Sequence, residues 1–324
     1  KTPWIKYLVL GIILSAIVIG NAAYEGGNIG GATLGLQAVF GIEHTHIYPI
    51  IIGVIAFVLL YFGNYKVLEK VLVSLVILMS LSFLITAIIT KPNITEIVKG
   101  LFIPSVPENS ILTIIALVGT TVVPYNLFLH ASLVSEKWKS TSDLGAARRD
   151  TIISITLGGF VSMGIIIAAT TISNKNITNV MDLAEGLEPL FGSMAKYFMG
   201  IGLFSAGITS AITAPLAAAY VVNSCFGWNA SLNDIRFKLV WMAIIVIGIS
   251  FLLFGIKPIE VIKFAQVANG ILLPLIAIFL VWVVNRETVL GNYKNTLFQN
   301  ILGILIIVIT LILGLKSILK VFGY

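Results

Sequence analysis

Charged side chains are scarce in this chain. Of its 324 residues, 10% are Asp, Glu, Lys or Arg and 58% are hydrophobic, whereas a soluble domain carries roughly 25% charged residues to keep its surface wetted. This shortage excludes a soluble globular protein. The alternating segments of about ten residues that build a membrane β-barrel are missing as well, and long uncharged runs are present instead. The predicted fold class is therefore an all-α polytopic membrane protein, with the lipid bilayer as its first partner.

Cysteine and the common catalytic motifs are also missing or nearly so. Cys225 is the single cysteine, which excludes an intramolecular disulfide and a cysteine-based metal centre. The apolar segments hold no HExxH pattern, no pair of nucleophile and base, and no cluster of acids, so an enzyme is not expected. No basic stripe with interleaved aromatic residues is present, which excludes nucleic acid as a partner. We expect no bound cofactor.

Long uncharged runs mark the membrane spans, because about 20 apolar residues cross the roughly 30 Å hydrocarbon core of a bilayer. The runs predict about nine transmembrane helices in a single transmembrane domain, residues 1–324. The expected helices cover residues 4–40, 47–64, 70–90, 109–135, 151–173, 196–223, 238–255, 262–284 and 296–317.

The distribution of basic residues predicts the orientation. Most Lys and Arg residues, including every arginine, lie at the N-terminus and in alternate loops near 66–70, 136–150, 234–238 and 286–294. Cytoplasmic loops carry an excess of Lys and Arg. We therefore expect the N-terminus in the cytoplasm and the C-terminus outside.

Glu25 is the one charged residue in the middle of a span, in the segment IGNAAYEGGNIGG. A charge within the bilayer is costly and is a functional candidate by default, but a protonated glutamate hydrogen-bonded to a neighbouring helix is the structural alternative. Asn28 lies one helical turn from Glu25, on roughly the same face. Asn21 precedes Glu25 by one turn, and on its own an intramembrane Asn more often joins helices than binds a ligand.

The segment GTTVVPYNLFLHASLV places Pro124 in the middle of another span. Proline removes a backbone donor and clashes with the carbonyl group one turn earlier, and irregular backbone at membrane depth is tolerated where it lines a cavity. We therefore predict an unwound break over residues 119–126, which would free carbonyl groups near Thr120 and Thr121 to bind an ion. A simple kink is the alternative. His130 follows, as either a satisfied interior residue or one that titrates near neutral pH.

Gln266 and Asn269 lie in the apolar segment KFAQVANGILLPLI. The Gln266 side chain offers a cation a neutral carbonyl ligand, and interhelical hydrogen bonding is the alternative use. Both interpretations stay open from the residues alone.

In this order and spacing, the segments resemble the Nramp family of divalent-metal transporters, a branch of the LeuT-type inverted-repeat fold. GTTVVPYNLFLHASLV is similar to the family's sixth-helix signature, G-x-T-x-M-P-H-N-L-x-L-H-S. GLFSAGITSAITAPLAAAYVV resembles its eighth helix, and FAQVANGILLPLIAI followed by NRETVLGNYKN resembles its tenth helix and the next loop. The resemblance covers nearly the whole chain. It implies that the chain begins at the family's third helix, after the D-P-G-N break that supplies the first half of the family's metal site.

The resemblance also assigns roles to single residues. Thr120 takes the position whose backbone carbonyl faces the metal, and Val123 and Tyr125 replace the family's methionine and histidine on either side of Pro124. Gln266 matches a glutamine implicated in coordinating the occluded ion. The candidates for metal binding are thus Thr120, Thr121, Val123, Tyr125, Gln266 and Asn269. The candidates for a proton pathway are Glu25 and Asn28, at the family's D-x-x-E positions, and His130, at the position of a sixth-helix histidine.

The implied function is secondary-active transport of a divalent cation by alternating access. Val123 lacks the soft thioether that favours transition metals over Mg²⁺ and Ca²⁺, so Mg²⁺ and Mn²⁺ are both candidate substrates. Asn28 cannot release a proton, and the family's ninth-helix arginine is missing from LVWMAIIVIGISFLLFG, so proton coupling is expected to be weak or missing. The alternatives are an Nramp-fold transporter of a non-metal small solute or anion, and a non-transporting membrane sensor or scaffold. We expect a monomer in a bacterial-type plasma membrane.

Overall fold

The computed structural model describes residues 3–43, 46–63, 66–103, 105–107, 110–121, 123–170, 172, 177, 179–228 and 230–321. Every regular element in this part of the chain is helical, which confirms the all-α class. The α-helices are α1 (Pro3–Phe40), α2 (Tyr48–Phe62), α3 (Lys66–Ile89), α4 (Ile94–Phe102), α5 (Ile111–Thr121), α6 (Pro124–Lys137), α7 (Leu144–Ala169), α8 (Val180–Ala184), α9 (Glu188–Phe191), α10 (Ala195–Phe226), α11 (Ile235–Leu253), α12 (Pro258–Val284), α13 (Glu287–Leu290) and α14 (Leu297–Val321).

The long helices have the length and the surface of membrane spans. Within the described residues, six helical segments are long and apolar enough to cross a bilayer, and α2 is a shorter apolar helix. Large aliphatic side chains face outward on the peripheral helices, with exposed fractions of 70% for Ile155 on α7 and 59% for Leu315 on α14. Such surfaces suit lipid tails, which are as apolar as leucine. The protein is therefore an integral membrane protein.

Several helices begin earlier than their uncharged runs predicted, among them α3, α7, α11 and α12. α7 starts at Leu144 instead of 151, because Ser140 and Asp143 form a capping box that begins helical backbone just before it. α12 starts at Pro258 instead of 262, since proline is well suited to the first turn of a helix. Exposed charged residues near these helix starts, Arg148 and Arg149 on α7 and Glu260 on α12, ended the uncharged runs but not the helices.

α1 lies at the centre of the bundle, where it contacts α2, α6, α8, α10, α11 and α12. Small residues allow its backbone to approach α10 closely. A Cβ atom on Gly35 would collide with the backbone of Gly200 and Phe204, and one on Gly207 would collide with the backbone of Ala32. Close backbone approach at small residues is typical of helix packing in membranes. These contacts pair the later part of α1 with the earlier part of α10, so the two helices are antiparallel.

Candidate functional site

The span that contains Pro124 is interrupted. α5 ends at Thr121 and α6 begins at Pro124, with Val123 in extended conformation (φ −80°, ψ 123°). The residue before a proline is driven out of helical conformation, whereas the proline itself suits the first position of the next helix. The interruption is therefore shorter than the predicted break over 119–126: residues 119–121 and 124–126 keep helical backbone.

The interruption leaves two helix ends inside one span. The last carbonyl groups of α5, which include those of Thr120 and Thr121, have no partner within that helix, and the end of α5 carries the negative pole of its dipole. At the start of α6, the backbone N–H of Asn126 donates to the carbonyl of Val123 at 3.1 Å. Carbonyl groups at such half-helix ends are the groups with which transporters hold cations. The side chains of Thr120, Thr121, Pro124 and Tyr125 lie outside the described part of the structure.

Val123 lies against the centre of the bundle. Its side chain is 6% exposed and belongs to an apolar cluster with Leu129, Ala214 and Ala217, against which Tyr24 packs. The interruption is therefore beside α10 and beside Tyr24, the residue that precedes Glu25 on α1. A methyl-bearing side chain at this point offers no ligand atom to an ion.

Glu25 is fully buried between α1 and α11. Its Oε2 atom accepts a hydrogen bond of 3.3 Å from the side-chain amide of Asn28, as the one-turn spacing predicted, and its Oε1 atom has no hydrogen-bond partner among the described residues. Gly248 on α11 makes the space for this side chain, because a Cβ atom there would lie 2.6 Å from Glu25 Cγ. One amide donor is thus the only polar contact of this carboxyl in the described structure.

Gln266 lies on α12 at the level of Glu25. The ideal Cβ of Gly27 on α1 would lie 3.4 Å from Ala265 Cβ, and that of Gly30 would lie 3.3 Å from the carbonyl oxygen of Pro258, so α1 and α12 are antiparallel. Gln266, one residue after Ala265, therefore comes level with the residues just before Gly27. Its side chain is half-buried. The structure thus brings Gln266, Glu25 and the interruption to one level, whereas the side chain of Asn269 lies outside its described part.

His130 faces a different neighbour. Its Nε2 atom lies within hydrogen-bond distance of Thr151 Oγ1 on α7, at 3.2 Å, and the Thr151 hydroxyl also lies 2.9 Å from the carbonyl of Ala147. The imidazole opens on a groove between α6 and α7 that Arg148 also lines. The structure therefore shows no direct contact between His130 and Glu25.

Two residues near Glu25, Gly248 and Asn21, shape the surroundings of its carboxyl in ways that the sequence did not predict. Gly248, in the apolar run of α11, carries no local signal, because its role depends on the contact between α1 and α11. Asn21, interpreted from the sequence as a residue that joins helices, is 1% exposed, and neither atom of its amide group has a hydrogen-bond partner in the described structure. The spacing of one helical turn between Asn21 and Glu25 is the sequence feature that could have indicated that the two side chains are neighbours.

Comparison with known proteins identifies relatives along nearly the whole chain. The profile of the Nramp family, described as natural resistance-associated macrophage protein-like, matches residues 1–320. The divalent metal cation transporter MntH of Caldanaerobacter subterraneus subsp. tengcongensis is 26% identical over 323 residues, which cover 96% of this chain and 74% of that protein. The transporter of the same name from Klebsiella pneumoniae is 28% identical over 295 residues, which cover 88% of this chain and 70% of that protein.

Solved structures agree with this grouping. Two crystal structures of the Eremococcus coleocola manganese transporter, one of a mutant and one in complex with an aromatic bis-isothiourea substituted compound, match with TM-scores of 0.68 and 20% sequence identity. Each match covers 100% of this chain and 74% of the other. The similarity confirms the LeuT-type fold. Since the family profile matches residues 1–320, the chain belongs to the Nramp family.

Proposed function

We propose that this chain transports a divalent metal cation across a bacterial-type plasma membrane by alternating access. The observation that carries the proposal is the interruption between α5 and α6, which lies inside the bundle at the level of Gln266 and Glu25. The class of substrate comes from the relatives, which are named as divalent metal cation and manganese transporters. All residues that the proposal uses lie in one chain, so a monomer is the expected unit of transport.

The ligands that this chain would offer a cation are oxygen atoms. The carbonyl groups of Thr120 and Thr121 at the end of α5 and the side-chain carbonyl of Gln266 are neutral, hard donors. Mg²⁺ binds oxygen ligands and usually keeps several of its waters, and Mn²⁺ accepts the same ligands. Further candidate ligands are Tyr125, which follows Pro124 on α6, and Asn269, which lies three residues after Gln266 on α12. A partly hydrated divalent ion is the substrate that fits this set of donors.

Selectivity among divalent ions follows from Val123. A thioether in its place would favour soft transition metals, whereas an isopropyl group binds no metal. We therefore propose that transition metals have little advantage over Mg²⁺ in this protein, and that Mg²⁺ and Mn²⁺ compete for one site.

We further propose that proton coupling is weak and depends on Glu25. Asn28 supports the carboxyl by a hydrogen bond but cannot itself take up or release a proton, and His130 is the one other candidate in the pathway. Internal pH in liposomes during cation uptake tests this point, with Glu25→Gln as the variant. We expect a small acidification in the wild type that the variant lacks. A strong acidification that persists in Glu25→Gln would mean that the carboxyl has a structural role.

Uptake of Mn²⁺ and of Mg²⁺ by liposomes that contain the purified protein tests transport itself, with protein-free liposomes as the control. We expect both ions to accumulate in a saturable way. If neither ion enters while the protein is folded, cation transport is the wrong function. A transporter of a non-metal solute, or a sensor that does not transport, would then replace it.

A further inference from the structure

α4 is a helix of nine residues in the connection between α3 and α5, with the sequence ITEIVKGLF. The side-chain Oδ1 atom of Asn93 accepts hydrogen bonds from the backbone N–H groups of Thr95 at 3.0 Å and Glu96 at 3.4 Å, which is the usual arrangement of a helix N-cap. Glu96 lies in the first turn and Lys99 in the last, where each charge interacts favourably with the helix dipole. The local sequence therefore favours a helix at this point of the connection.

α4 has one apolar face and one polar face. Since an α-helix has 3.6 residues per turn, its apolar residues gather within an arc of about 140°: Ile94, Ile97, Val98, Leu101 and Phe102. The opposite side carries Thr95, Glu96, Lys99 and Gly100. This is the pattern of an amphipathic helix, whose apolar stripe covers about 100° or more.

The apolar face of α4 is largely uncovered in the described structure. No residue of α4 is buried, and Ile94, Leu101 and Phe102 have exposed fractions of 73%, 60% and 76%. An isolated helix shorter than about 12 residues is marginal in water, and short helices of proteins are stabilised by the packing of an amphipathic face. A surface that covers this face is therefore needed.

Both ends of α4 are connected to one surface of the membrane. The span of α3 covers Leu68–Ile89, and Lys91 takes a left-handed conformation (φ 47°), which is typical of the residue that ends a helix. The five residues from Ile89 to Ile94 reach about 18 Å at most. α5, at the other end of the connection, begins at Ile111 and rises about 16 Å over its length, about half of the roughly 30 Å hydrocarbon core. α5 can thus run from the surface at which α3 ends to an interruption near the middle of the membrane.

Lipid is the surface nearest to the apolar face of α4. On the last turns of α3, Ile85 and Ile88 have exposed fractions of 45% and 74%, and such aliphatic side chains belong to an exterior that suits lipid tails. The uncovered face of α4 begins six residues after Ile88, just beyond the end of the span. The bilayer that covers the end of α3 therefore lies within reach of α4.

We propose that α4 lies along the membrane–water interface, with Ile94, Val98 and Leu101 among the acyl chains and with Glu96 and Lys99 in water. Interfacial amphipathic helices insert their apolar face about 5–10 Å into the boundary between headgroups and acyl chains. The predicted orientation of the chain assigns α4 to the outer leaflet. The helix then anchors the connection that leads into α5, and it holds the start of this half-span at a fixed depth.

Spin labels on α4 test its depth in liposomes, in a chain from which Cys225→Ala removes the native cysteine. A nitroxide is attached to Val98→Cys or Leu101→Cys on the apolar face, and to Thr95→Cys or Lys99→Cys on the polar face. Oxygen concentrates in the bilayer and a water-soluble nickel chelate is excluded from it, so the relaxation of each label by the two reagents measures its depth. We expect both apolar-face labels about 5–10 Å below the lipid phosphates and both polar-face labels at or above them.

Two positions outside α4 calibrate the measurement. Ile155 on α7 is 70% exposed in the apolar exterior, so a label on Ile155→Cys should respond mainly to oxygen. Ser142 is exposed in the loop before α7, so a label on Ser142→Cys should respond mainly to the nickel chelate, which is present on both sides of the membrane. Phe102→Cys takes the place of an apolar-face variant that does not fold.

Equal access of the nickel chelate to all four labels on α4 would overturn the proposal, because the helix would then lie in water. Labels on Val98→Cys and Leu101→Cys that neither reagent reaches would overturn it as well, since protein and not lipid would cover the face. Dipolar broadening between labels would in that case identify a second copy of the chain as the cover. The depth measurement requires no transport, so its outcome is independent of the proposed function.

Discussion

At the scale of single residues, the proposed cation binding and proton exchange depend on Val123 and Glu25. Both are buried, and the structure places Val123 beside Tyr24, the residue before Glu25. Val123 has no ligand atom. The carboxyl of Glu25 has one polar contact among the described residues, the side-chain amide of Asn28. Their substitution therefore tests the chemistry of the site with little change in its shape.

Replacement of Val123 by methionine should restore a soft ligand at the interruption. Val123→Met is expected to increase the preference for Cd²⁺ and Mn²⁺ over Mg²⁺ by about 10-fold, because thioether ligands select soft metals. Competition between these ions for uptake measures the preference. Leu129→Met is the control, since Leu129 lies in the same apolar cluster and gains the same sulfur away from the interruption. Equal shifts in the two variants would mean that the sulfur does not act as a ligand.

Gly248 should determine the position of the Glu25 carboxyl. A Cβ atom in Gly248→Ala would lie 2.6 Å from Glu25 Cγ, so the side chain or α11 must move, at a cost of about 1–3 kcal/mol in the free energy of unfolding. We expect substrate-dependent proton flux to fall with it. Gly158→Ala on α7 is the control, because its Cβ would meet nothing within 4 Å. Proton flux that survives in Gly248→Ala would show that the carboxyl tolerates displacement.

At the scale of helices, the antiparallel contact of α1 with α10 stabilises the centre of the bundle. It depends on positions where any side chain would meet backbone, as at Gly35, where a Cβ would collide with Gly200 and Phe204. Backbone cannot move aside as the end of a long side chain can. The contact is therefore the part of the fold that we expect to be most sensitive to added volume.

Gly35→Ala should destabilise the protein, and Gly31→Ala on the same helix should not. The Gly35 variant forces α1 and α10 apart, for which we expect a loss of about 1–3 kcal/mol, the usual cost of overpacking. At Gly31 a Cβ meets nothing within 4 Å, so alanine should be neutral or stabilise the helix by about 0.5–1 kcal/mol. Thermal unfolding in detergent measures the difference. Similar midpoints for the two variants would contradict the close packing described for α1 and α10.

The helices and the interruption could be predicted from the sequence to different degrees. Uncharged runs predicted the positions of the long helices, and Pro124 predicted the interruption, because both effects are local. Its extent was overestimated: proline displaces the residue before it from helical conformation, and α5 and α6 stay helical up to Thr121 and from Pro124. The hydrogen bond between Glu25 and Asn28 followed from helical spacing. The space that Gly248 leaves for Glu25 could not be predicted, since it arises from contact between residues far apart in the chain.

At the scale of the whole molecule, orientation in the membrane decides the direction of the proposed transport. The excess of Lys and Arg in alternate loops predicts that the loop at 136–150 lies in the cytoplasm and the loop at 91–110 outside. Ser142 and Ser105, one in each of these loops, are both exposed. Each can carry a cysteine in a chain from which Cys225 has been removed.

A membrane-impermeant maleimide applied to intact cells should label Ser105→Cys and spare Ser142→Cys. Cys225→Ala without a further change is the control for background labelling. After the cells are permeabilised, both cysteines should react. The opposite pattern, with Ser142→Cys labelled in intact cells, would invert the predicted orientation.

Competition between Mn²⁺ and Mg²⁺ for uptake tests most directly whether this chain is a divalent cation transporter without strong preference for transition metals. Purified protein in liposomes is given micromolar Mn²⁺, and Mg²⁺ is raised to millimolar concentrations outside. Because the proposed site offers hard oxygen donors and Val123 supplies no soft ligand, we expect Mg²⁺ to suppress Mn²⁺ uptake in a saturable way and to accumulate in its place. Mn²⁺ uptake that continues undisturbed at millimolar Mg²⁺ would contradict this conclusion.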